Sequence, residues 1–428
     1  MDWISSRGSS PPVPFIDALF AGTAPDGGLY MPERIDPLPA ESLLRVQGAD
    51  IVTIATVVGA HLLKGEITEA ALEPLVREAL DFPIPLVQVT PRVWALELFH
   101  GPTMAFKDVG ARVQARLLHH FTDGTPLTIL VATSGDTGSA VAQAFHRVPD
   151  TRVVVLYPAG KVSDVQEAQM ASMGDNILAV AVDGTFDDCQ RLVKTAFGDD
   201  DLRQHVWLTP ANSINLGRLL PQVFYYFLVS AVGGARGPIV AVPSGNFGDL
   251  TAGLIAKRLG LKVRHFVAGT NVNDAVPRYL ASGLYDPKDS IRTVANAMDV
   301  GAPSNFERMQ WIYGGDFAAL RQDITGYAYD DARVVAEIGR VDREHGYLLD
   351  PHGAIGWLAL NDELRTSDPG AAGVFLATAH PAKFREVVEP AIGRNVPLPP
   401  VLAEAITRPR HSMKLSSQYA DLRALLRS

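Results

Sequence analysis

The chain of 428 residues contains one cysteine, Cys189, so an intrachain disulfide and a cysteine-built zinc site are both excluded. It also lacks any apolar run near the roughly 18 residues that a membrane helix requires. Its first residues show neither the basic start nor the apolar core of a secretory signal. We therefore expect a cytoplasmic protein with no resident metal and no membrane contact, in which Cys189 fills the core on one face of a helix.

Positive charge is the next thing in short supply. Lysine and arginine together number 38 against 47 aspartates and glutamates, which gives a net charge of −9. A general nucleic-acid binder would present a basic surface, so this composition argues against that class, while a local positive site for a small anion stays compatible. Lysine itself is scarce, with nine lysines against 29 arginines. A lysine inside a candidate loop therefore calls for an explanation.

What the sequence has in abundance is an alternation of short apolar runs with helical patterns. The apolar runs are nearly continuous in Val, Ile, Leu and Ala, which is typical of strands covered by helices on both faces. Alternation on this scale predicts an α/β fold with parallel sheets. The predicted strands are 93–99, 127–133, 152–158, 176–182, 238–244, 263–269 and 373–379. The predicted helices include 108–121, 139–146, 164–173 and 249–260.

Three segments follow from the distribution of these patterns. Residues 1–90 hold proline-rich turns and helical patches, and we expect them to pack on the first sheet. A Gly pair ends a long apolar segment near residue 235, and we place the main boundary there. This gives an α/β domain over 91–235 and a second over 236–428.

Three loops at predicted strand ends, 132–140, 157–164 and 242–253, are rich in small polar residues, and a fourth, 377–384, follows the last strand. Ligands in open α/β sheets bind at such ends. In "SGNFGD", residues 244–249, successive amides at a helix start can form an anion site, with Ser244 as a neutral donor. The alternative is a plain strand-to-helix turn. In "SGDTGS", residues 134–139, hydroxyls and amides can hold a substrate carboxylate, or Ser134, Asp136 and Thr137 can simply cap a helix.

Lys107 lies in "HGPTMAFKDVG", just past a predicted strand end. A lysine becomes a nucleophile toward a carbonyl when its surroundings lower its pKa. Lys161 and Lys383 also lie in candidate site loops and compete for this role. A Schiff-base lysine together with a phosphate-binding loop is the minimum that a pyridoxal phosphate site requires.

Nine stretches, several longer than ten residues and all in family order, resemble the threonine synthase family in its bacterial and fungal branch. This resemblance implies pyridoxal 5'-phosphate as cofactor and the fold of the tryptophan synthase β-subunit, with two open, mostly parallel sheets flanked by helices. It implies conversion of O-phospho-L-homoserine and water to L-threonine and phosphate. The stretches are "DGGLYMPERI", "HGPTMAFKDVGARV", "ATSGDTGSAVAQAF", "LYPAGKVSDVQEAQM", "ANSINLGRLLPQ", "VPSGNFGDLTAGL", "TNVNDAVPRYLASG", "NAMDVGAPSNFER" and "TAHPAKF".

The resemblance also implies residue roles. Lys107 resembles the Schiff-base lysine, and Thr378 resembles the hydroxyl residue that faces the pyridine nitrogen. The other cofactor-binding residues would be Ser244, Gly245, Asn246, Phe247, Gly248 and Asp249. The residues that would hold the substrate carboxylate are Ser134, Gly135, Asp136 and Thr137. Those that would hold the substrate phosphate are Asn212, Ser213 and Arg218. To the substrate-binding residues we add Lys161.

Other functions predict different features. A serine or threonine dehydratase, or another β-eliminating lyase with the same cofactor, would not need Arg218 for a substrate phosphate, and Arg218 could then be an ordinary helix arginine paired with an acidic neighbour. A dinucleotide-dependent oxidoreductase would need a G-x-G-x-x-G unit, which is absent. A non-catalytic binding module would be colourless when purified. We expect a monomer or homodimer, and no activation by S-adenosylmethionine, because the long N-terminal extension of plant relatives is missing.

Overall fold

The computed structural model describes residues 1–133 and 135–428 and has an α/β architecture of two open, mostly parallel sheets. Ser134, one of the predicted carboxylate-binding residues, lies outside this range. The strands are β1 (Trp3–Ser5), β2 (Tyr30–Pro32), β3 (Leu86–Thr90), β4 (Val93–Glu97), β5 (Leu127–Ala132), β6 (Thr151–Pro158), β7 (Ile177–Asp183), β8 (Leu208–Pro210), β9 (Ile239–Pro243), β10 (His265–Thr270), β11 (Ile324–Ala328), β12 (Gly373–Ala377) and β13 (Ser412–Ser416).

Helices cover both sheets and connect most of the strands. They are α1 (Phe15–Ala21), α2 (Ala40–Val46), α3 (Ile51–Leu62), α4 (Glu69–Ala79), α5 (Lys107–Phe121), α6 (Asp136–Phe145), α7 (Asp164–Ala171), α8 (Phe186–Phe197), α9 (Asp200–Arg203), α10 (Leu216–Leu219), α11 (Gln222–Tyr226), α12 (Gly248–Arg258), α13 (Ala275–Ser282), α14 (Phe306–Ile312), α15 (Phe317–Asp323), α16 (Asp331–His345), α17 (Pro351–Thr366), α18 (Arg385–Ile392), α19 (Pro400–Thr407) and α20 (Tyr419–Arg427).

The six-stranded sheet has the order β11-β10-β9-β12-β4-β3 and is parallel except for the β3–β4 pair. The five-stranded sheet has the order β13-β7-β6-β5-β8 and is parallel throughout. The seven predicted strands are confirmed as β4, β5, β6, β7, β9, β10 and β12. The strands that the pattern missed in these two sheets, β3, β8, β11 and β13, are their four edge strands.

The two sheets exchange strands across the predicted division of the chain. Strand β4, which precedes residue 100, lies in the sheet formed by β9 to β12, and β13, near the C-terminus, returns to pair with β7. Sheet membership therefore does not divide the chain at residue 235. The domain boundaries at 90 and 235 stay a prediction.

The N-terminal segment packs on the five-stranded sheet, as expected. Thr209 in the edge strand β8 donates its hydroxyl hydrogen to the carbonyl of Phe20 at 2.7 Å, and the ring of Phe20 lies 4.5 Å from that of Trp207. Cys189 lies in α8 and is fully buried, which confirms its place in the core. Burial raises the pKa of its thiol to about 12, so the group is an inert thiol at neutral pH.

Helix α12 is pressed against aromatic side chains at Gly253, and this contact yields a prediction. A Cβ there would lie 2.7 Å from the Tyr226 ring and 2.8 Å from the Phe266 ring, both fully buried. We expect Gly253→Val to lower the free energy of unfolding by about 1–3 kcal/mol, the usual cost of overpacking a core. Thermal and urea denaturation would measure it.

The matched control is Gly198→Val at the end of α8, where the nearest atom to a Cβ is 3.6 Å away. If both variants lost the same stability, the close packing of α12 would not be the cause.

Candidate functional site

The turn that carries Lys107 is fastened to the end of strand β12. Ala105 forms an isolated antiparallel bridge with Ala379, and the Phe106 amide donates to the Thr378 carbonyl at 2.8 Å. Helix α5 then begins at Lys107 itself. Lys107 and Thr378, which are 271 positions apart in the sequence, are thereby brought together at the carboxyl end of β12.

The Lys107 amine has no hydrogen bond or ion pair to any residue in 1–133 or 135–428. It is half-buried, and its Nζ lies 4.9 Å from the centre of the Phe106 ring. Burial lowers its pKa; Asp136 opposes this shift, while the charges of Lys383 and Arg218 add to it. A lysine with a lowered pKa and no acidic partner is available as a nucleophile and base.

Asp108, the next residue, holds the turn in place through hydrogen bonds to Thr103. Its carboxylate accepts a hydrogen bond from the Thr103 amide at 2.9 Å and from the Thr103 hydroxyl at 2.6 Å. Gly101 is required beside it, because a Cβ at that position would lie 2.5 Å from the Asp108 carboxylate. The pattern "HGPTMAFKD" is thus a self-contained turn that presents Lys107 at the start of α5.

Residues 245–248 form a cradle of amides in front of α12. None of these four N–H groups has an acceptor in the described part of the chain, and the positive end of α12 begins at Gly248. Ser244 differs from expectation, because its amide donates to the Gly269 carbonyl at 2.8 Å and its hydroxyl to the Val242 carbonyl at 2.9 Å. Its donors serve the protein, and the cradle is built from backbone amides alone.

The sharp turn of this loop falls on Phe247, which has a φ of 60°, and on neither of its glycines. Gly245 is required for a different reason. A Cβ there would lie 2.8 Å from the Ala297 carbonyl oxygen and 2.8 Å from Met298 Cα. The backbone at 297–298 therefore closes over the loop and fixes its shape.

Asn246 and Asp249 direct their side chains to protein partners. Asn246 Nδ2 donates to Ser213 Oγ at 2.6 Å, and its Oδ1 accepts from the Ser304 amide at 2.6 Å. The Asp249 carboxylate accepts from the hydroxyls of Tyr225 and Tyr226 at 2.5 and 2.8 Å. Burial raises the pKa of Asp249 to about 6, although both hydroxyls lower it. Asn246 thus joins two loops, and Asp249 anchors the start of α12.

Thr378 stands at the carboxyl end of β12 with 6% of its surface exposed. Its hydroxyl has no hydrogen-bond partner among the described residues, while its carbonyl is used by the Phe106 amide. A buried hydroxyl in this condition can donate to, or accept from, a ring nitrogen.

The loop at the start of α6 offers a second set of amides. Thr133 Oγ1 accepts from the Gly135 and Gly138 amides at 2.9 and 2.8 Å, which shapes the loop. Gly135 has a φ of 148°, a conformation that favours glycine. The amides of Asp136 and Thr137 have no acceptor in the described range and are available to an anion.

The acidic charge of Asp136 in this loop is neutralised by Lys383, which is fully buried. Lys383 Nζ lies 2.8 Å from Asp136 Oδ1 and also donates to the Thr103 carbonyl at 2.8 Å. Although burial opposes ionisation, Lys383 and Lys107 hold the pKa of Asp136 well below its usual range. The sequence marked Lys383 only as a rival of Lys107, since nothing local reveals a partner nearly 250 positions away.

Arg218, in α10, packs against α5 at Gly110, which is one helical turn after Lys107. A Cβ at Gly110 would meet the Arg218 carbonyl at 2.7 Å and its Nε at 3.2 Å. Arg218 is 3% exposed, donates to the Ala211 carbonyl at 2.7 Å and leaves Nε without a partner. No carboxylate of the described chain lies within 4 Å of it, so it is not an ordinary ion-paired helix arginine.

Two neutral groups accompany Arg218, and one predicted residue does not. Asn212 forms no side-chain hydrogen bond within the described chain, which leaves its Nδ2 as a donor, and the Ser213 hydroxyl, which accepts from Asn246, can still donate. Lys161 is exposed and donates to the Gly184 carbonyl at 3.0 Å. No hydrogen bond or ion pair joins Lys161 to a candidate residue within 1–133 or 135–428, so its place in the substrate-binding set stays a prediction.

Residues 1–133 and 135–428 contain neither a metal-binding cluster nor a membrane-spanning helix. No group of three or more His, Cys, Asp or Glu side chains could hold a metal ion. No helix is long and apolar enough to span a membrane.

Three family models match the chain: "Pyridoxal-phosphate dependent enzyme" over residues 80–378, "Threonine synthase N terminus" over 2–80 and "Threonine synthase, C-terminal" over 353–426. The threonine synthase of Escherichia coli K12 is 45% identical over 421 residues, which cover 97% of this chain and 96% of that protein.

Two solved structures agree with these matches. The crystal structure of threonine synthase from Escherichia coli has a TM-score of 0.93 at 43% identity, covering 100% of this chain and 99% of that one. The structure of threonine synthase from Brucella melitensis with bound PLP has a TM-score of 0.93 at 38% identity, with 100% and 99% coverage.

The amide cradle yields a prediction about cofactor affinity. Gly245→Val should weaken the binding of pyridoxal phosphate to the apoprotein by about tenfold or more, because the side chain would displace the backbone at 297–298 and distort the amides. Ser244→Ala should change the dissociation constant little, because its hydroxyl bonds within the protein. Fluorescence titration of the apoprotein measures both. Equal losses in the two variants would contradict a cradle made of amides.

Proposed function

The chain belongs to the threonine synthase family, and on that premise we propose that it converts O-phospho-L-homoserine and water to L-threonine and phosphate at the site around Lys107. It is a lyase of threonine biosynthesis that depends on pyridoxal 5'-phosphate. The observation that carries the proposal is Arg218, a buried guanidinium without an acidic partner in the described chain. It packs against Gly110, one turn along α5 from Lys107, whose amine is also unpaired.

The residues present fit the cofactor. Lys107 offers a free amine to an aldehyde, the amides of 245–248 offer donors to a phosphate, and Thr378 offers a free hydroxyl to a ring nitrogen. When bound, the cofactor supplies an electron sink for negative charge at the substrate α-carbon. A hydroxyl beside the ring nitrogen carries no charge, so Thr378 does not impose a proton on that nitrogen.

The α6 loop is the place we assign to the substrate carboxylate. The amides of Asp136 and Thr137 are free to donate, and the Thr137 hydroxyl adds a further donor. An ionised aspartate would repel a carboxylate, but the ion pair with Lys383 cancels that charge. The loop can therefore accept an anion although its own sequence is acidic.

The substrate phosphate is assigned to Arg218, Asn212 and Ser213. A guanidinium can grip two phosphate oxygens at once, and the unpartnered Nε of Arg218 is one such donor. Burial lowers the pKa of Arg218 to about 10, so it stays cationic at neutral pH. The same contacts would stabilise the charge on the departing phosphate, which a dehydratase has no need to do.

Lys107 is the proton carrier of the proposal. Its lowered pKa favours the neutral amine, which can take a proton from the substrate α-carbon and return protons to neighbouring carbons. Lys383 is unsuited to that role, because its ammonium is already held by Asp136 and the Thr103 carbonyl.

Assembly as a monomer or homodimer, cytoplasmic localisation and the division at residues 90 and 235 belong to the same proposal and rest on the sequence.

We predict that Lys107→Ala abolishes threonine formation and borohydride-dependent attachment of pyridoxal phosphate, because no other amine near the cradle is free. Lys383→Met is the matched control and should still be labelled, at Lys107. Peptide mapping by mass spectrometry identifies the labelled lysine. Since its pKa is lowered, the attachment rate should rise with pH and level off below the range where an ordinary lysine titrates. Label on Lys161 or Lys383 would refute the assignment.

The substrate assignment predicts a selective defect in Arg218→Ala. Loss of a charge-assisted hydrogen bond costs roughly 1.5–3 kcal/mol, which is about 10- to 150-fold in kcat/KM for O-phospho-L-homoserine. Arg218→Lys should recover part of this loss. Any slow elimination from unphosphorylated serine or threonine should survive, because it needs no phosphate contact. A parallel fall of both activities would make Arg218 a structural residue.

A further inference from the structure

Arg308, in α14, is a second buried cation near the site. Its guanidinium is fully buried and donates only to neutral oxygens. Nη1 contacts the Ser213 carbonyl at 3.2 Å and Asn305 Oδ1 at 2.8 Å, and Nη2 contacts the Ile214 carbonyl at 2.8 Å. Nη2 and Nε also reach the Tyr30 carbonyl, at 3.1 and 3.3 Å. The side chain is fully held, but its charge is not neutralised.

The nearest acidic residue does not neutralise Arg308. Burial lowers the pKa of Arg308 to about 9, and the charge of Glu307 opposes this shift. The Glu307 carboxylate is 3.2 Å from Arg7 at the surface, so it already has a partner. Arg308 therefore carries a positive charge at neutral pH in a place where an unpaired charge is costly.

Arg308 bonds directly to the 212–214 loop, and its partners Ser213 and Asn305 in turn contact the 245–248 cradle. Ser213 bonds through its hydroxyl to Asn246 in the cofactor cradle, and its carbonyl also accepts from Asn305 Nδ2 at 3.4 Å. Asn305 packs on Gly248, where a Cβ would be 3.3 Å from its Nδ2. Arg308 therefore bonds to the two residues, Ser213 and Asn305, that connect the 212–214 loop to the cradle.

We propose that Arg308 is a positioning residue that fixes the 212–214 loop against the 245–248 cradle and supplies a positive charge shared by the two phosphate groups bound there. This rests on the proposed function, because it takes one loop for the substrate phosphate and the other for the cofactor phosphate. The ligand class is a phosphate dianion at each loop. The charge that is left unpaired in the protein is compensated when these anions bind.

The test adds the missing counter-ion without changing shape. Asn305→Asp places a carboxylate oxygen where Asn305 Oδ1 now accepts from Arg308, and should neutralise the guanidinium while preserving that contact. It also removes the Nδ2 donor that reaches the Ser213 carbonyl at 3.4 Å, and the comparison with pyridoxal separates that uncharged loss from the electrostatic effect. We expect the apoprotein variant to keep its melting temperature but to bind pyridoxal phosphate and inorganic phosphate about tenfold or more weakly. Its affinity for pyridoxal, which lacks the phosphate, should be unchanged.

Three further variants separate the charge of Arg308 from its contacts. Arg308→Lys retains the charge but loses the fork of contacts, so it should recover more phosphate affinity than Arg308→Gln. The control is Arg112→Gln, which removes a buried arginine of α5 that donates to the carbonyls of Ala79 and Glu78 and, unlike Arg308, is paired with a carboxylate, that of Asp81. It should lower stability without changing the ratio of the pyridoxal phosphate and pyridoxal affinities.

Titration calorimetry of full-length apoprotein with each probe gives these constants without turnover, so failure of the proposed substrate would leave the result interpretable. Unchanged phosphate affinity in Asn305→Asp would overturn the electrostatic role. An equal loss of pyridoxal and pyridoxal phosphate affinity would reduce Arg308 to a structural tie between Tyr30 and the core.

Discussion

The guanidinium groups of Arg218 and Arg308 lie inside the protein, and no carboxylate of the described chain comes within 4 Å of either. Taking such a charge out of water costs several kcal/mol unless it is compensated. Carbonyl oxygens reduce this cost but do not cancel the charge. Arg218 packs against α5 one turn after Lys107, and Arg308 contacts the 212–214 loop, so each leaves a positive charge that a bound anion can compensate.

The buried acids of the site, Asp136 and Asp249, have charged or hydrogen-bonding partners within the protein. Asp136 has a full ion pair with Lys383, and Asp249 accepts from two tyrosine hydroxyls. Asp136 thus has a counter-ion and Asp249 has two donors on Oδ1, although its Oδ2 has no partner, whereas Arg218 and Arg308 have no counter-ion in the described chain. The net charge of −9 belongs to the chain as a whole and does not describe this region. A local field depends on which charges remain unpaired in low-dielectric surroundings, and not on their sum.

The exchange of strands between the sheets places these groups together. Strand β4 joins the six-stranded sheet before the chain builds the five-stranded one, so α5 and Lys107 lie at the junction of both. Asn246 then links the cofactor cradle to Ser213, and the backbone at 297–298 closes over Gly245. The site therefore brings together loops from distant parts of the chain, held by side chains such as Asn246 that bond to other protein groups.

The sequence by itself determined the seven central strands, since strands covered on both faces must be continuously apolar, and it determined Lys107 and the glycine-containing loops, since their signals are local. The edge strands escaped it because they are short or half-exposed. Only the tertiary structure decided that both donors of Ser244 bond to protein carbonyls, that Lys383 neutralises Asp136 and that Arg308 bonds to the 212–214 loop and Asn305. The contacts of the Ser244 amide with Gly269, of Lys383 with Asp136 and of Arg308 with Ser213 join residues tens to hundreds of positions apart, and no spacing along the chain encodes them.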